Sequence, residues 1–247
     1  MSLARRLYQA AYGAHLPPAD AGQELDLGAL ELAGFLWRKG GASRLRGLWR
    51  GWRLGGCGGR LFLGRNVRID FPRRLSVGPS AYLADGVYIN ALSRKGFVLG
   101  GNVRVREGTW MLGTAVLTEP GEGLTVGDNV YIGPYCVLGA GGGLHIGSDV
   151  TIGAHVDILA EDHDFSDPTR PINRQGVTRK GITIGDDCWI GNRVTILDGV
   201  RVGRGSVIGA ASVVTRDLPE FSVAAGSPAR VIRDRREPAA AAEPPKP

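Results

Sequence analysis

Residues 184–213 read IGDDCW IGNRVT ILDGVR VGRGSV IGAASV, five hexapeptides in unbroken register, with Val214 opening a sixth. Aliphatic residues fall at 184, 190, 196, 202, 208 and 214. An amphipathic helix would space its apolar residues three and four apart, and a half-buried strand would alternate them. A strict period of six fits neither. It fits a solenoid in which each hexapeptide supplies one short strand and one bend, and three of them close an 18-residue triangular coil. The first residue of each hexapeptide points inward and stacks on its counterpart one coil later, Ile184 on Val202 and Ile190 on Ile208. Successive coils rise by about one strand spacing, about 4.8 Å. The second residue, usually glycine, keeps a Cβ out of the bend. The fifth (Val130, Cys136, Val150, Val156, Val194, Ser206, Ser212) is small because it fills the corner, and Cys188 takes the same slot. Cys136 and Cys188 are thus expected to be structural filler.

Working back from this stretch, the same pattern runs VGDNVY IGPYCV LGAGGG from Val126 and IGSDVT IGAHVD ILAEDH from Ile146. Looser copies begin at Leu63, Val77, Leu83 and Leu99. The step from Leu138 to Ile146 is two residues too long, and the glycine run 139–143 absorbs the excess. The step from Ile158 to Ile184 holds an insertion of 20 residues, HDFSDPTRPINRQGVTRKG and its flank, which leaves the coil at His163. Loops thrown from a rigid scaffold are where function concentrates. The organisation expected is a basic N-terminal segment over 1–60, a coil over 61–233 carrying the loop 163–181, and a Pro/Ala-rich disordered tail over 234–247.

The composition agrees. Glycine reaches 39 of 247 residues and aromatics only 7%, which favours a turn-dense, mainly β chain over a helical bundle. No stretch approaches the length of a membrane span, and the N-terminus lacks the apolar core of a secretory signal. Three cysteines, at 57, 136 and 188, show no CxxC spacing, so neither a disulfide framework nor a zinc ribbon is expected and a cytoplasmic location is the default. The net charge of +6 is concentrated: residues 1–60 hold nine Lys/Arg against four Asp/Glu, whereas 61–247 hold 21 against 20. Within Leu36–Arg60 no acid appears, and Arg38, Lys39, Arg44, Arg46, Arg50 and Arg53 interleave with Trp37, Trp49 and Trp52. That mixture suits peripheral contact with an anionic membrane surface at the inner face, or else a solvated cap whose tryptophans pack on the end of the coil. Glycines at 40, 41, 47 and 51 break up any long helix in this partly helical segment. No recognition motif accompanies the basic run, so nucleic acid is not an expected partner.

Of four histidines, His15 and His155 read as surface residues. His145 and His163 lie 18 residues apart and are expected to stack in one outward column, but a zinc site needs a third protein ligand that the sequence does not offer, and no metal is expected. His163 stands where coil gives way to loop, flanked by Glu161, Asp162 and Asp164. An imidazole there suits a general base, and a carboxylate can fix its tautomer. A loop histidine capped by a neighbouring acid is the plainer alternative.

Residues 126–233 resemble the galactoside and maltose O-acetyltransferase branch of the hexapeptide-repeat acyltransferases, including exopolysaccharide-type members. The resemblance rests on EDHDF with its loop, on CWIG, on GAASVVTRD and on AGSPARVIR. It implies a left-handed parallel β-helix, a handedness that the period alone does not give. It also implies a homotrimer and acetyl-CoA as co-substrate. His163 matches the family's catalytic base, removing a proton from an acceptor hydroxyl that attacks the thioester directly. The backbone N–H of Asn192 matches the oxyanion donor, and Trp189 the tryptophan beside the acyl chain or pantetheine. Gly191, Ala210, Thr215 and Arg216 match contacts along the CoA arm, Arg230 and Arg233 cations near its phosphates. Two positions depart from the pattern: an asparagine before the base is here Gly133, and an acid used on the sugar is here Gly141. Residues 1–60 find no counterpart in the family's small N-terminal domain. The acceptor implied is a sugar or lipid-linked glycan hydroxyl. Alternatives are N-acetylation of an amino-sugar nucleotide, a non-catalytic hexapeptide scaffold, and a zinc carbonic anhydrase on the same coil.

Overall fold

The computed structural model describes residues 37–114 and 116–237, with Glu31 and Gly34. The inward aliphatic residues do stack: Ile146 lies against Ile184 and Ile184 against Val202, while Ile152, Ile190 and Ile208 form a second column and Ile158 with Ile196 a third. All are at most 2% exposed. Truncating one of these to alanine would cost about 2–5 kcal/mol, because neighbours above and below cannot both close on the void. The result is a left-handed parallel β-helix of three sheets. Face one runs from Gly56–Cys57 to Arg201–Val202, face two from Leu61–Leu63 to Ser222–Gly226, and face three from Arg68–Asp70 to Val213–Val214. Ala229–Asp234 folds back antiparallel on Ser222–Gly226 and closes face two.

The corners are held by side chains that reach one coil back. Asp85, Asp128, Asp186 and Asn192 all occupy the third place of a hexapeptide, and their side-chain oxygens accept the N–H of Arg65, Gly101, Ser148 and Ala154 at 2.6–2.8 Å. Bends expose backbone N–H groups that no strand partner can take, so these acceptors satisfy what the turn would orphan. Gly153 is glycine because a Cβ there would collide with the Asn192 side-chain oxygen of the next coil.

Coil length varies more than the repeat suggests. Val77 lies against Leu99, Leu99 against Val126, Val126 against Ile146 and Ile146 against Ile184, intervals above 18 in every case and far above it in the last. The longest extra segments enter at one place, the border between faces three and one. There 113–123 separates Leu112 from Leu124, and 160–181 separates Leu159 from Ile182. The expected glycine-run bulge, 139–143, sits on this same border.

The coil begins with Gly56–Cys57, and before it Trp37–Gly41 forms a π turn leading into helix α1, Ala42–Gly51. The helix caps the first coil. Arg46 Nε donates to the carbonyls of Leu63 and Gly64 at 2.8 and 3.1 Å, and Arg50 Nη1 to that of Val67 at 2.9 Å. Among the described residues no earlier coil bonds these edge carbonyls, and the arginines do it. Gly47 does not break the helix; a Cβ there would strike the carbonyl of Leu61, so glycine permits the close approach. The idea of tryptophans packed on the coil end is overturned: Trp37, Trp49 and Trp52 are exposed, and arginines do the packing. At the other end Asp234 finishes a strand and Arg235 bonds Asp187 and the Gly205 carbonyl, so the tail departs from the coil later than residue 234. Residues 238–247, and most of 1–36, lie outside the described residues.

Candidate active site

The excursion 160–181 is built by its own polar side chains. Asp162–His163 pairs antiparallel with Val177–Thr178 to form its stem. Gln175 accepts the Asp167 N–H at 3.0 Å and donates to the carbonyls of Asp167 and Arg170, both at 2.8 Å. Asp164 accepts the N–H and hydroxyl of Ser166, and Asp167 those of Thr169. The Ser166 N–H, then its hydroxyl, holds the Asp164 carboxyl below the usual carboxylate range; the Thr169 hydroxyl, then its N–H, does the same for Asp167. At the stem's foot Arg179 pairs with Glu161 at 2.5 Å, and Asp198 on the next coil accepts the N–H groups of Lys180 and Gly181, each at 2.8 Å.

This architecture carries His163 away from the coil wall. His145 is flanked by Thr125 and Thr183, not by His163. The expected histidine column therefore does not form, because the 38 residues between Ile146 and Ile184 include a hairpin that takes His163 out of register. His163 is exposed, and its ring makes no hydrogen bond among the described residues. None of the three flanking acids bonds the ring: Glu161 is engaged by Arg179, Asp164 by Ser166, and Asp162 pairs through its backbone with Thr178.

The remaining site residues stand elsewhere on the prism. Trp189 lies on face two between Thr151 and Val207, and is 57% exposed. Gly191, Asn192 and Ala210 occupy the border between faces two and three, and Arg230 and Arg233 the strand that closes face two. Thr215 and Arg216 are exposed on the border of faces three and one, below the foot of the His163 loop. The side-chain oxygen of Asn192 serves Ala154, but no acceptor for the Asn192 N–H occurs among the described residues. A free backbone donor beside an exposed indole fits what a thioester oxyanion and its acyl chain require.

Within one chain, then, His163 borders one side of face three, while Trp189 and Asn192 stand at or beyond its other side. The surface between is half-buried, with Leu112, Leu159, Leu197, Val137 and Val213 turned outward and Asp157 and Thr195 standing between Val137 and Val213. Trp110 on the same face is 49% exposed and meets the Tyr88 ring edge-on at 5.8 Å.

Sequence reasoning missed a groove on face one, about 450 Å³, lined by Lys95, Glu122, His145, Lys180, Thr183 and Arg201. Its cations Lys95, Lys180 and Arg201 come from three coils of unequal length, so no local motif could announce it. No cluster of three His, Cys, Asp or Glu suited to a metal occurs among the described residues.

Residues 181–216 match the family model described as bacterial transferase hexapeptide (six repeats). The chain is 37% identical over 113 residues to a probable acetyltransferase of Mycobacterium tuberculosis, Rv3034c, aligning 46% of this chain with 38% of that protein. It is 42% identical over 114 residues to a putative acetyltransferase of Saccharomyces cerevisiae, YJL218W, covering 46% and 57%. It is 38% identical over 130 residues to the galactoside O-acetyltransferase of Escherichia coli, covering 44% and 63%. The chain thus spans less than two thirds of the length of each. Among solved structures, a variant of AntD, an N-acyltransferase from Bacillus cereus in complex with dTDP and coenzyme A, superposes with a TM-score of 0.54 at 20% identity over 76% of this chain and 89% of the other. At that identity the likeness is one of fold.

Proposed function

Because its coil belongs to the hexapeptide-repeat acetyltransferase family, we propose that this chain is an acetyl-CoA-dependent O-acetyltransferase of a sugar or glycan-precursor hydroxyl, with residues 61–233 as the catalytic unit. The observation that carries the proposal is the placement of His163 and of the Asn192 N–H on opposite borders of face three, whose coils there turn five aliphatic side chains outward. If three prisms turn face three toward a common axis, the His163 border of each meets the Asn192 border of the next, and the ring closes. Such a homotrimer buries those side chains and brings base and oxyanion donor to one cleft.

In that cleft the His163 imidazole takes the proton of the acceptor hydroxyl as its oxygen attacks the thioester carbonyl. The tetrahedral oxyanion is held by the Asn192 N–H. The C–S bond then breaks, and the imidazolium returns the proton to the CoA sulfur. Trp189, Gly191 and Ala210 would line the acyl chain and pantetheine from one copy, Thr215 and Arg216 from the other border, and Arg230 and Arg233 would meet the CoA phosphates. With glycines at 133 and 141, acceptor contacts must come from elsewhere. The Glu161 carboxylate, paired with Arg179 and 2.7 Å from where a Gly141 Cβ would sit, would stand in for the missing acid.

The test supplies purified chain with acetyl-CoA and panels of hydroxyl and amino acceptors, and reads CoA thiol release and molecular mass in solution. Turnover on hydroxyls, lost by about 10²–10⁴-fold in His163→Ala with unchanged thermal unfolding, is expected. Turnover on amines alone would move the assignment to N-acetylation. A stable monomer, or a parent that releases no thiol with any acceptor, would leave the coil as a scaffold.

A further inference from the structure

Helix α1 is amphipathic the wrong way round. Helices on globular proteins bury their apolar stripe. Here the stripe toward the coil is Ser43, Arg46, Gly47 and Arg50: Arg46 and Arg50 cap edge carbonyls, Gly47 admits the coil backbone, and the buried Ser43 hydroxyl donates to the Gly40 carbonyl of the preceding turn. The opposite stripe is Leu45, Leu48, Trp49 and Trp52, spaced three, four and seven apart, and these side chains are 52%, 61%, 81% and 78% exposed. Trp37, in the preceding turn, is 62% exposed. Nothing in helix propensity or coil packing calls for two tryptophans and two leucines on the outer side. The inward stripe alone would hold the helix in place.

The charge around this surface says what it meets. From Leu32 to Ile69 the chain contains nine Lys/Arg and no acid. Arg53 and Arg60 are exposed and make no ion pair among the described residues. The nearby acids Asp70 and Asp85 are engaged by Arg68 and Arg65. An outward apolar stripe bearing indoles, with the unpaired Arg53 and Arg60 just after it in the chain and no carboxylate from Leu32 to Ile69, matches a bilayer interface rich in anionic headgroups. Indoles settle at headgroup depth, leucines reach the acyl boundary, and cations remain with the phosphates. We propose that helix α1 is a lipid-docking cap that seats the first coil on an anionic membrane surface. The cap lies at one end of the prism, so the catalytic borders stand above the bilayer and stay open. In the three-fold ring proposed above, parallel copies would set three caps in one plane and multiply the attachment; that multiplication rests on the ring, whereas the docking does not.

The experiment uses the full chain and no acetyl-CoA, which keeps its outcome separate from that of catalysis. Phosphatidylcholine vesicles with and without about one-third phosphatidylglycerol are sedimented with protein at low and high salt. Quenching of tryptophan by brominated lipid reports insertion. Binding to the anionic vesicles alone is expected, weakened by salt, with quenching by bromines near the headgroup. The triple variant Leu48→Gln/Trp49→Gln/Trp52→Gln changes exposed side chains only, so its thermal unfolding should match the parent's while vesicle binding drops at least about tenfold. Arg53→Gln/Arg60→Gln should weaken binding to anionic vesicles and leave unfolding unchanged. The proposal is overturned if the parent ignores anionic vesicles, or if the triple variant binds them as the parent does. It is equally overturned if the triple variant dissociates an assembly, which would make the occupant a second copy of the chain.

Discussion

Asn192 lies one coil before Ala210, and the methyl group of Ala210 stands where the same place in other hexapeptides presents a carboxylate or amide. The Arg65, Gly101, Ser148 and Ala154 N–H groups are all captured by such a side chain one coil on. That of Asn192 is left free. Ala210→Asn should restore the ladder and capture it. The expected result is a kcat lower by about 10²-fold with an unchanged or raised unfolding temperature, the loss reported for removal of one oxyanion donor. The Asp186 N–H is also without an acceptor, facing Arg204 one coil on, so Arg204→Asn serves as the control: the same repair, away from the chemistry, with kcat intact.

Much of this was legible beforehand, for a physical reason. A buried aliphatic residue every sixth position is a requirement of the core, so Ile184 to Val214 announced their stacking. Coil length was not legible, because residues at the border of faces three and one obey no core constraint; 113–123 and 160–181 carry no period. His145 and His163 were paired wrongly on that account. The cap was misread for a different cause. Gly47 looked like a helix breaker when judged by propensity, whereas its role is set by the Leu61 carbonyl. The outward aim of Trp49 and Trp52 likewise needed the docked helix to be seen.

Glu161 and Arg179 act on His163 only through the stem of its loop. Their side chains are 38% and 23% exposed, so breaking the pair should change stability by less than about 1 kcal/mol. Displacing a base by about 1 Å can cost up to about 10²-fold in rate. Arg179→Met should therefore lower kcat by about tenfold or more, leave the KM for acetyl-CoA near the parent value, and be partly rescued in Arg179→Lys.

Gly47→Ala sets two effects against each other. Helix propensity favours alanine by about 1 kcal/mol. The collision with the Leu61 carbonyl forces the helix off the coil, at about 1–3 kcal/mol, and releases the Arg46 and Arg50 contacts as well. Net destabilisation in urea unfolding is expected; a gain would mean that the cap is not docked as described.

Burial pushes the thiols of Cys136 and Cys188 up from their ordinary value, and each donates to a carbonyl, of Gly153 at 3.1 Å and Gly203 at 3.3 Å. Cys57 is exposed. A maleimide at neutral pH should therefore label one cysteine promptly in the native protein and the other two only on unfolding. Prompt labelling of Cys188 would show that face two opens near Trp189.

Because every long excursion departs from a single border, the prism divides its labour between a ruler and a margin. Lengthening or exchanging 113–123 or 160–181 leaves the aliphatic columns and their neighbours untouched, so whatever selects the acceptor can be rewritten without renegotiating stability. Grafting that margin between members of the same architecture, with the imidazole at position 163 kept, should transplant preference for one hydroxyl over another while the Asn192 border stays as it is.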